Sequence, residues 1–142
     1  MNRDAMFSSA KCEWETPQDL FDELNKEHGF TLDVCALPEN AKCSMFYTPE
    51  DDGLSQEWGG VCWMNPPYGR GIGSWVEKAH KEVSAGRAEK VVCLVPARTD
   101  TAWWHDWVTR GEVTFIRGRL KFGGHKHNAP FPSAVVVFDR AA

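Results

Sequence analysis

Two stretches of this chain are apolar at nearly every position and stop at proline. Residues 61–64 (Val61-Cys62-Trp63-Met64) run straight into Asn65-Pro66-Pro67, and residues 90–95 stop at Pro96. Proline has no N–H for a ladder and locks φ, so each run ends there as a strand. A strand that is apolar at nearly every position, rather than at alternate ones, is buried on both faces. Between the two runs, Ile72, Trp75, Val76, Ala79 and Val83 recur at helical spacing and predict a helix of about 14 residues. Strand, helix and strand in that order belong to the α/β class, a doubly wound and mostly parallel sheet with helices on both faces. In such sheets ligands bind beyond the carboxyl ends of the strands.

The flanking sequence extends the same alternation. Thr16-Pro17-Gln18-Asp19 reads as a helix start, with Thr16 as N-cap, Pro17 at the first helical position and Asp19 in the first turn. Leu20, Phe21 and Leu24 form the apolar stripe of that helix, and Gly29 ends it. Strands are expected at 30–34, 44–48, 113–116 and 134–138, and a Trp-rich helix at 101–109. Asp51-Asp52-Gly53 reads as a turn. Residues 117–131 form a glycine-rich basic loop, with a short strand expected at 120–122. Asp33, Asn65 and Arg98 all fall at or just after strand ends, so the fold class brings them to one edge.

With 142 residues the chain has room for one domain, 1–142, in which the first twelve residues are read as loosely held. Its five cysteines are odd in number and include no C-x-x-C pair, which supports neither a disulfide framework nor a zinc cage. No apolar run approaches the roughly 18 residues of a membrane span, and residues 1–15 carry no hydrophobic signal segment; a cytoplasmic protein is expected. The net charge of −4 hides an asymmetry. Residues 1–60 hold 4 Lys/Arg against 13 Asp/Glu, whereas residues 61–142 hold 12 against 7. An anion-binding face on the second half is compatible with that division.

Asn65-Pro66-Pro67-Tyr68 carries the most specific chemistry. The exocyclic nitrogen of adenine has its lone pair drawn into the ring, and becomes nucleophilic only when acceptors hold its hydrogens in a tetrahedral arrangement. The Asn65 side-chain oxygen and the carbonyl of the next residue can supply both acceptors, and two prolines fix that carbonyl outward. The Tyr68 ring offers a face on which a base taken out of its helix can stack.

These residues resemble the phage DNA N6-adenine methyltransferases, a compact Dam-like family that uses S-adenosylmethionine. The resemblance spans residues 14–138. It includes Trp14-Glu15-Thr16-Pro17, Leu32-Asp33-Val34-Cys35-Ala36, Asn40-Ala41-Lys42-Cys43, Asp51-Asp52-Gly53-Leu54, Asn65-Pro66-Pro67-Tyr68-Gly69, Pro96-Ala97-Arg98-Thr99-Asp100-Thr101, Gly118-Arg119-Leu120-Lys121-Phe122 and Ala129-Pro130-Phe131-Pro132-Ser133. It implies a compact Rossmann-like fold of the class I methyltransferases, encoded by a phage or prophage and acting in the bacterial cytoplasm. It further implies Asn65, Pro66, Pro67 and Tyr68 as catalytic residues. Trp14, Thr16, Pro17, Asp33, Ala36, Asp51 or Asp52, Leu54 and Asn65 are implied as the cofactor site. Thr16-Pro17 would help hold the methionine carboxylate, Asp33 would stand beside the methionine amino group and sulfonium, and one of Asp51 and Asp52 would accept from the cofactor's adenine. The usual glycine-rich turn after the first strand is replaced here by Cys35-Ala36-Leu37-Pro38-Glu39-Asn40.

DNA is the implied partner, on the basic second half. Arg98, Thr99, Arg117, Arg119, Lys121 and Lys126 supply phosphate donors, and Phe122 and Phe131 supply stacking faces. Trp103, Trp104 and Trp107 at helical spacing read as core, and His125-x-His127 lacks a third ligand for a metal. No metal is expected. Two other readings share these residues: methylation of RNA adenine or of a protein glutamine by the same turn, and a non-catalytic DNA-binding module. Target recognition would have to come from loops such as 117–131, from a partner or from a second copy, since there is no length for a separate recognition domain.

Overall fold

The computed structural model describes residues 14–141, so the expectation for residues 1–12 lies outside the described residues. Five strands form one sheet in the order β1-β2-β3-β5-β4: β1 Leu32–Asp33, β2 Gly60–Met64, β3 Ala88–Pro96, β4 Glu112–Phe115 and β5 Ser133–Asp139. β1, β2 and β3 pair in parallel, and β5 inserts between β3 and β4, antiparallel to both. Four strands therefore run one way and one runs against them.

Both faces are covered by helices, and the register shows how. Trp63, Val92 and Val137 are paired across the sheet and share one face; Cys62, Val91 and Phe138 are paired and share the other. Phe21 of α1 (Gln18–His28) packs edge-on against Trp63 at 5.5 Å. His80 of α2 (Ile72–Ser84) packs edge-on against Phe138 at 5.7 Å. One helix lies on each face, as the continuous apolar runs required. Residues 91–95 of β3 are wholly buried, and Cys93 among them and Cys62 of β2 are free thiols that burial pushes upward, Cys62 to about 12.

Several local readings are corrected. Strand 30–34 shortens to two ladder residues, although Thr31 N–H and Val34 N–H still donate to Val61 and Trp63 carbonyls. Segment 44–48 contributes a single parallel bridge, Phe46 to Asp33, so it is a fringe of the sheet and no full strand. The Trp-rich helix breaks into α3 (Ala102–Asp106) and a 3-10 turn at Val108–Arg110, with Trp104 buried beneath it. Residues 120–122 form no strand; the nearby pairing is a bridge from Gly123 to Glu15. At the start of α1 the cap is Pro17 and not Thr16, and proline has no side-chain acceptor for a cap bond; the Thr16 hydroxyl accepts from Asn65 instead. Gly29 closes α1 as expected, at φ 70°, its N–H donating to Asn25 O. No helix among the described residues is long and apolar enough to cross a membrane.

A charged side chain of α2 sits inside the core. Glu82 of α2, 1% exposed, accepts from Trp58 N–H at 2.7 Å and from Arg87 Nε at 2.8 Å, with Lys78 Nζ at 3.4 Å. A buried charge persists only when it is paired in this way.

Candidate active site

Beyond the carboxyl ends of β1 and β2 lies a cavity of about 850 Å³. Its walls come from the strap 14–16, the turn after β1, the Asn65-Pro66-Pro67-Tyr68 turn after β2, and the Gly123-Gly124-His125 tip of the basic loop. The volume lies within the range typical of small-molecule sites, and most lining groups are apolar with a few converging polar ones.

Asn65 is the most constrained polar side chain there. Its Nδ2 donates to the Trp14 carbonyl and, at 2.9 Å, to the Thr16 hydroxyl oxygen. A backbone carbonyl only accepts, so it fixes which end of the carboxamide is nitrogen. The remaining atom, Oδ1, is buried and has no hydrogen-bond partner. A buried acceptor in that state costs roughly 1–3 kcal/mol, which marks it as a group awaiting a donor. Pro66 and Pro67 form the adjoining wall.

Tyr68 is also at the cavity, 3% exposed. Its hydroxyl donates to Leu94 O at 3.0 Å, and burial holds the phenol well above its usual range. Phe122 and Phe131 meet its ring edge-on at 6.2 and 5.7 Å. The hydroxyl is thus a structural anchor and the ring a rigid wall.

Asp33, 3% exposed, accepts from Cys35 N–H at 3.2 Å and Lys42 N–H at 3.0 Å. Burial pushes its carboxyl up to about 6 against the pull of those two amides. Among the described residues no cation forms an ion pair with it. The turn that lacks glycine is closed instead by Asn40, whose Oδ1 accepts from Leu37 N–H at 2.9 Å. Small Ala36 lines the cavity beside it.

The two aspartates of the next turn separate. Asp51 Oδ2 accepts from Thr48 N–H and Oγ1 within its own turn, and it does not line the cavity. Asp52 does, with the left-handed φ of 55°, the one non-glycine residue so placed among those described. Strain of that kind clusters at ligand sites. Gly53 follows under a further constraint, since a Cβ there would stand 2.5 Å from Val34 O and 3.1 Å from Trp75. Leu54 and Pro17 lie off the cavity wall.

Of the residues read as DNA contacts, none lines the cavity. Arg98, Thr99, Arg117, Arg119, Lys121 and Lys126 are all exposed. Phe122 is corrected: it is 1% exposed and packed beneath Trp14 and Tyr68, so no base can stack on it from solvent. Phe131 is half-buried, with the Arg98 guanidinium 5.9 Å from its ring centre. Arg119 and Lys121 share a second groove with Asp19, Asp22 and Glu23 of α1.

Sequence reasoning missed Arg70, Trp75, Lys42, Tyr47 and His125 as cavity residues. Arg70, two residues past Tyr68, was within reach of the motif. Trp75 was absorbed by the helical stripe as core, and it does pack on Trp58 at 6.1 Å while its other side meets the cavity.

Comparison with known proteins adds an independent line. A family model described as DNA N-6-adenine-methyltransferase (Dam) matches residues 5–141. The DNA N-6-adenine-methyltransferase of Haemophilus phage HP1 (strain HP1c1) is 28% identical over 146 aligned positions, covering 94% of this chain and 82% of that protein. The YfdM protein of Escherichia coli (strain K12) is 38% identical over 64 positions, covering 39% of this chain and 70% of its own length.

Proposed function

The chain belongs to the DNA N-6-adenine-methyltransferase (Dam) family, and we propose that it moves a methyl group from S-adenosylmethionine to N6 of an adenine turned out of the DNA stack. The observation that carries this reading is the Asn65 carboxamide, with both its hydrogens taken by the protein and its oxygen buried without a donor. An exocyclic amino group is the donor that fits.

The residues present fit the cofactor. A buried carboxylate in no ion pair suits a ligand that carries an ammonium and a sulfonium, and Asp33 is such a group among the described residues. Asp52, in its strained conformation beside the close-packed Gly53 and Trp75, suits the amino group and ring of an adenine. Thr16, Trp14 and Ala36 complete that half of the cavity. When bound, S-adenosylmethionine supplies a methyl group already activated by positive sulfur.

The protein's own part is positioning. Asn65 Oδ1 accepts one N6 hydrogen and the Pro66 carbonyl accepts the other, which draws the nitrogen lone pair out of the ring and toward the methyl. Tyr68, locked by its hydroxyl bond and two edge-on rings, presents a fixed wall to the base. With the donor bound, the N–C bond would form as the S–C bond breaks, and the extra proton left on the methylated nitrogen would pass to solvent, since the Asn65 amide oxygen cannot keep it. Alignment of the three atoms supplies most of the acceleration. Arg70 at the cavity, with the exposed Arg98, Arg117 and Lys126, provides cations for the flanking phosphates. One domain then holds cofactor, base and DNA backbone, with loop 117–131 as the element nearest the target.

The test is to incubate the protein with methyl-labelled S-adenosylmethionine and DNA, then digest to nucleosides. Label in N6-methyldeoxyadenosine is expected. Absence of that label, with label appearing instead in RNA adenine or protein glutamine when those acceptors are offered in parallel, contradicts the reading.

A further inference from the structure

The Asn-Pro-Pro-Tyr turn does not by itself fix where Asn65 Oδ1 points. The terminal torsion of an asparagine is broad and roughly two-fold, so the carboxamide needs outside partners to hold one orientation. Those partners come from the strap 14–16, some fifty residues away in sequence. We propose that Thr16, with the Trp14 carbonyl, is a positioning clamp that sets the Asn65 acceptor for the reaction. The proposal rests on the role given to Asn65 above and assigns Thr16 a task beyond holding the cofactor's carboxylate.

Two features make the clamp stiff. Thr16 is 4% exposed, and its oxygen accepts from Asn65, while the N-cap of α1 falls on Pro17. The strap is itself pinned from the other side. Gly123 N–H donates to Glu15 O at 2.9 Å, and a Cβ at Gly123 would meet the Glu15 side chain at 3.1 Å. The Trp14 ring stacks on His125 at 4.2 Å and takes the edges of Phe122 and Phe131 at 5.5 and 5.1 Å. Rotation of the carboxamide by half a turn would set Oδ1 against the Trp14 carbonyl oxygen, which can only accept. The strap thereby ties the tip of the basic loop to the reacting atoms.

Thr16→Val keeps the shape of the side chain and removes the acceptor; Thr16→Ser keeps the acceptor. At saturating cofactor and DNA, Thr16→Val is expected to lower kcat about 10- to 100-fold, and Thr16→Ser to restore most of it. Unchanged kcat with a raised KM for S-adenosylmethionine would overturn the proposal, because Thr16 would then serve the cofactor alone. Equal losses in both variants would overturn it too, since packing and not the hydroxyl would be at stake. A second measurement stands apart from activity. In the wild-type protein the Asn65 side-chain amide protons, followed by 15N NMR, are expected to exchange slowly with solvent. Fast exchange of both would refute the clamp even in an active enzyme. Absence of N6-methyladenine in the wild-type assay would instead refute the proposed function, and the exchange measurement would still decide the clamp.

Discussion

Two buried carboxylates in this protein are treated in opposite ways. Glu82, 1% exposed, meets the Arg87 guanidinium, Lys78 and the Trp58 amide. Burial alone would push its carboxyl up, but those partners hold it below the usual carboxylate range. Asp33, 3% exposed, meets two backbone amides and no ion-pair partner among the described residues, and burial pushes it up to about 6. The first site has its charge answered from within, so it belongs to the fold. The second has negative charge left over at the wall of a cavity, as Asn65 has an oxygen left over. At the wall of a cavity, unanswered polarity of this kind is what a ligand can complete.

The comparison breaks most visibly at Glu82. Arg87→Ala strips the guanidinium and leaves the buried carboxylate with Lys78 and the Trp58 amide alone, so an earlier midpoint in urea unfolding is expected. Methyl transfer by the folded protein is expected to persist. A loss of activity without loss of stability would erase the distinction between the two sites.

Asp33 supplies the matching test. A cation favours the ionised carboxylate, so affinity for S-adenosylmethionine is expected to hold above pH 6 and to fall by about tenfold per pH unit below it. Calorimetry across pH 4.5 to 8 reads this directly. Asp33→Asn is expected to bind more weakly and to flatten the profile; an unchanged profile would remove Asp33 from the cofactor site.

The smallest effect is assigned to Tyr68→Phe. Its hydroxyl serves a buried carbonyl and not the reaction, so the variant should lose about 1 kcal/mol of stability and keep most of its turnover. A dead variant with normal stability would give the hydroxyl a chemical role.

The sequence was informative where one local pattern sufficed. The apolar runs before Pro66 and Pro96 declared a sheet covered on both faces, and the Asn-Pro-Pro-Tyr turn placed itself at a strand's carboxyl end. It failed where distant partners decide. Thr-Pro before a helix satisfies every local rule for a cap, yet the Thr16 hydroxyl belongs to Asn65. Phe122 sits in a basic loop and reads as exposed, but the strap and Tyr68 bury it. Nothing in Asp51-Asp52 says which one turns to the cavity until the backbone takes its left-handed step at the second. Asn40 closing a turn without glycine was accessible through the habit of asparagine to bond its own backbone.

The account stands most directly on Asn65→Ala, assayed for turnover and for cofactor binding in the same preparation. Loss of one positioned hydrogen bond at a reacting group is expected to lower kcat by about 10²–10³-fold, while calorimetry shows S-adenosylmethionine bound nearly as well as by the wild type. Turnover close to wild type, or turnover and cofactor affinity falling together, would contradict it.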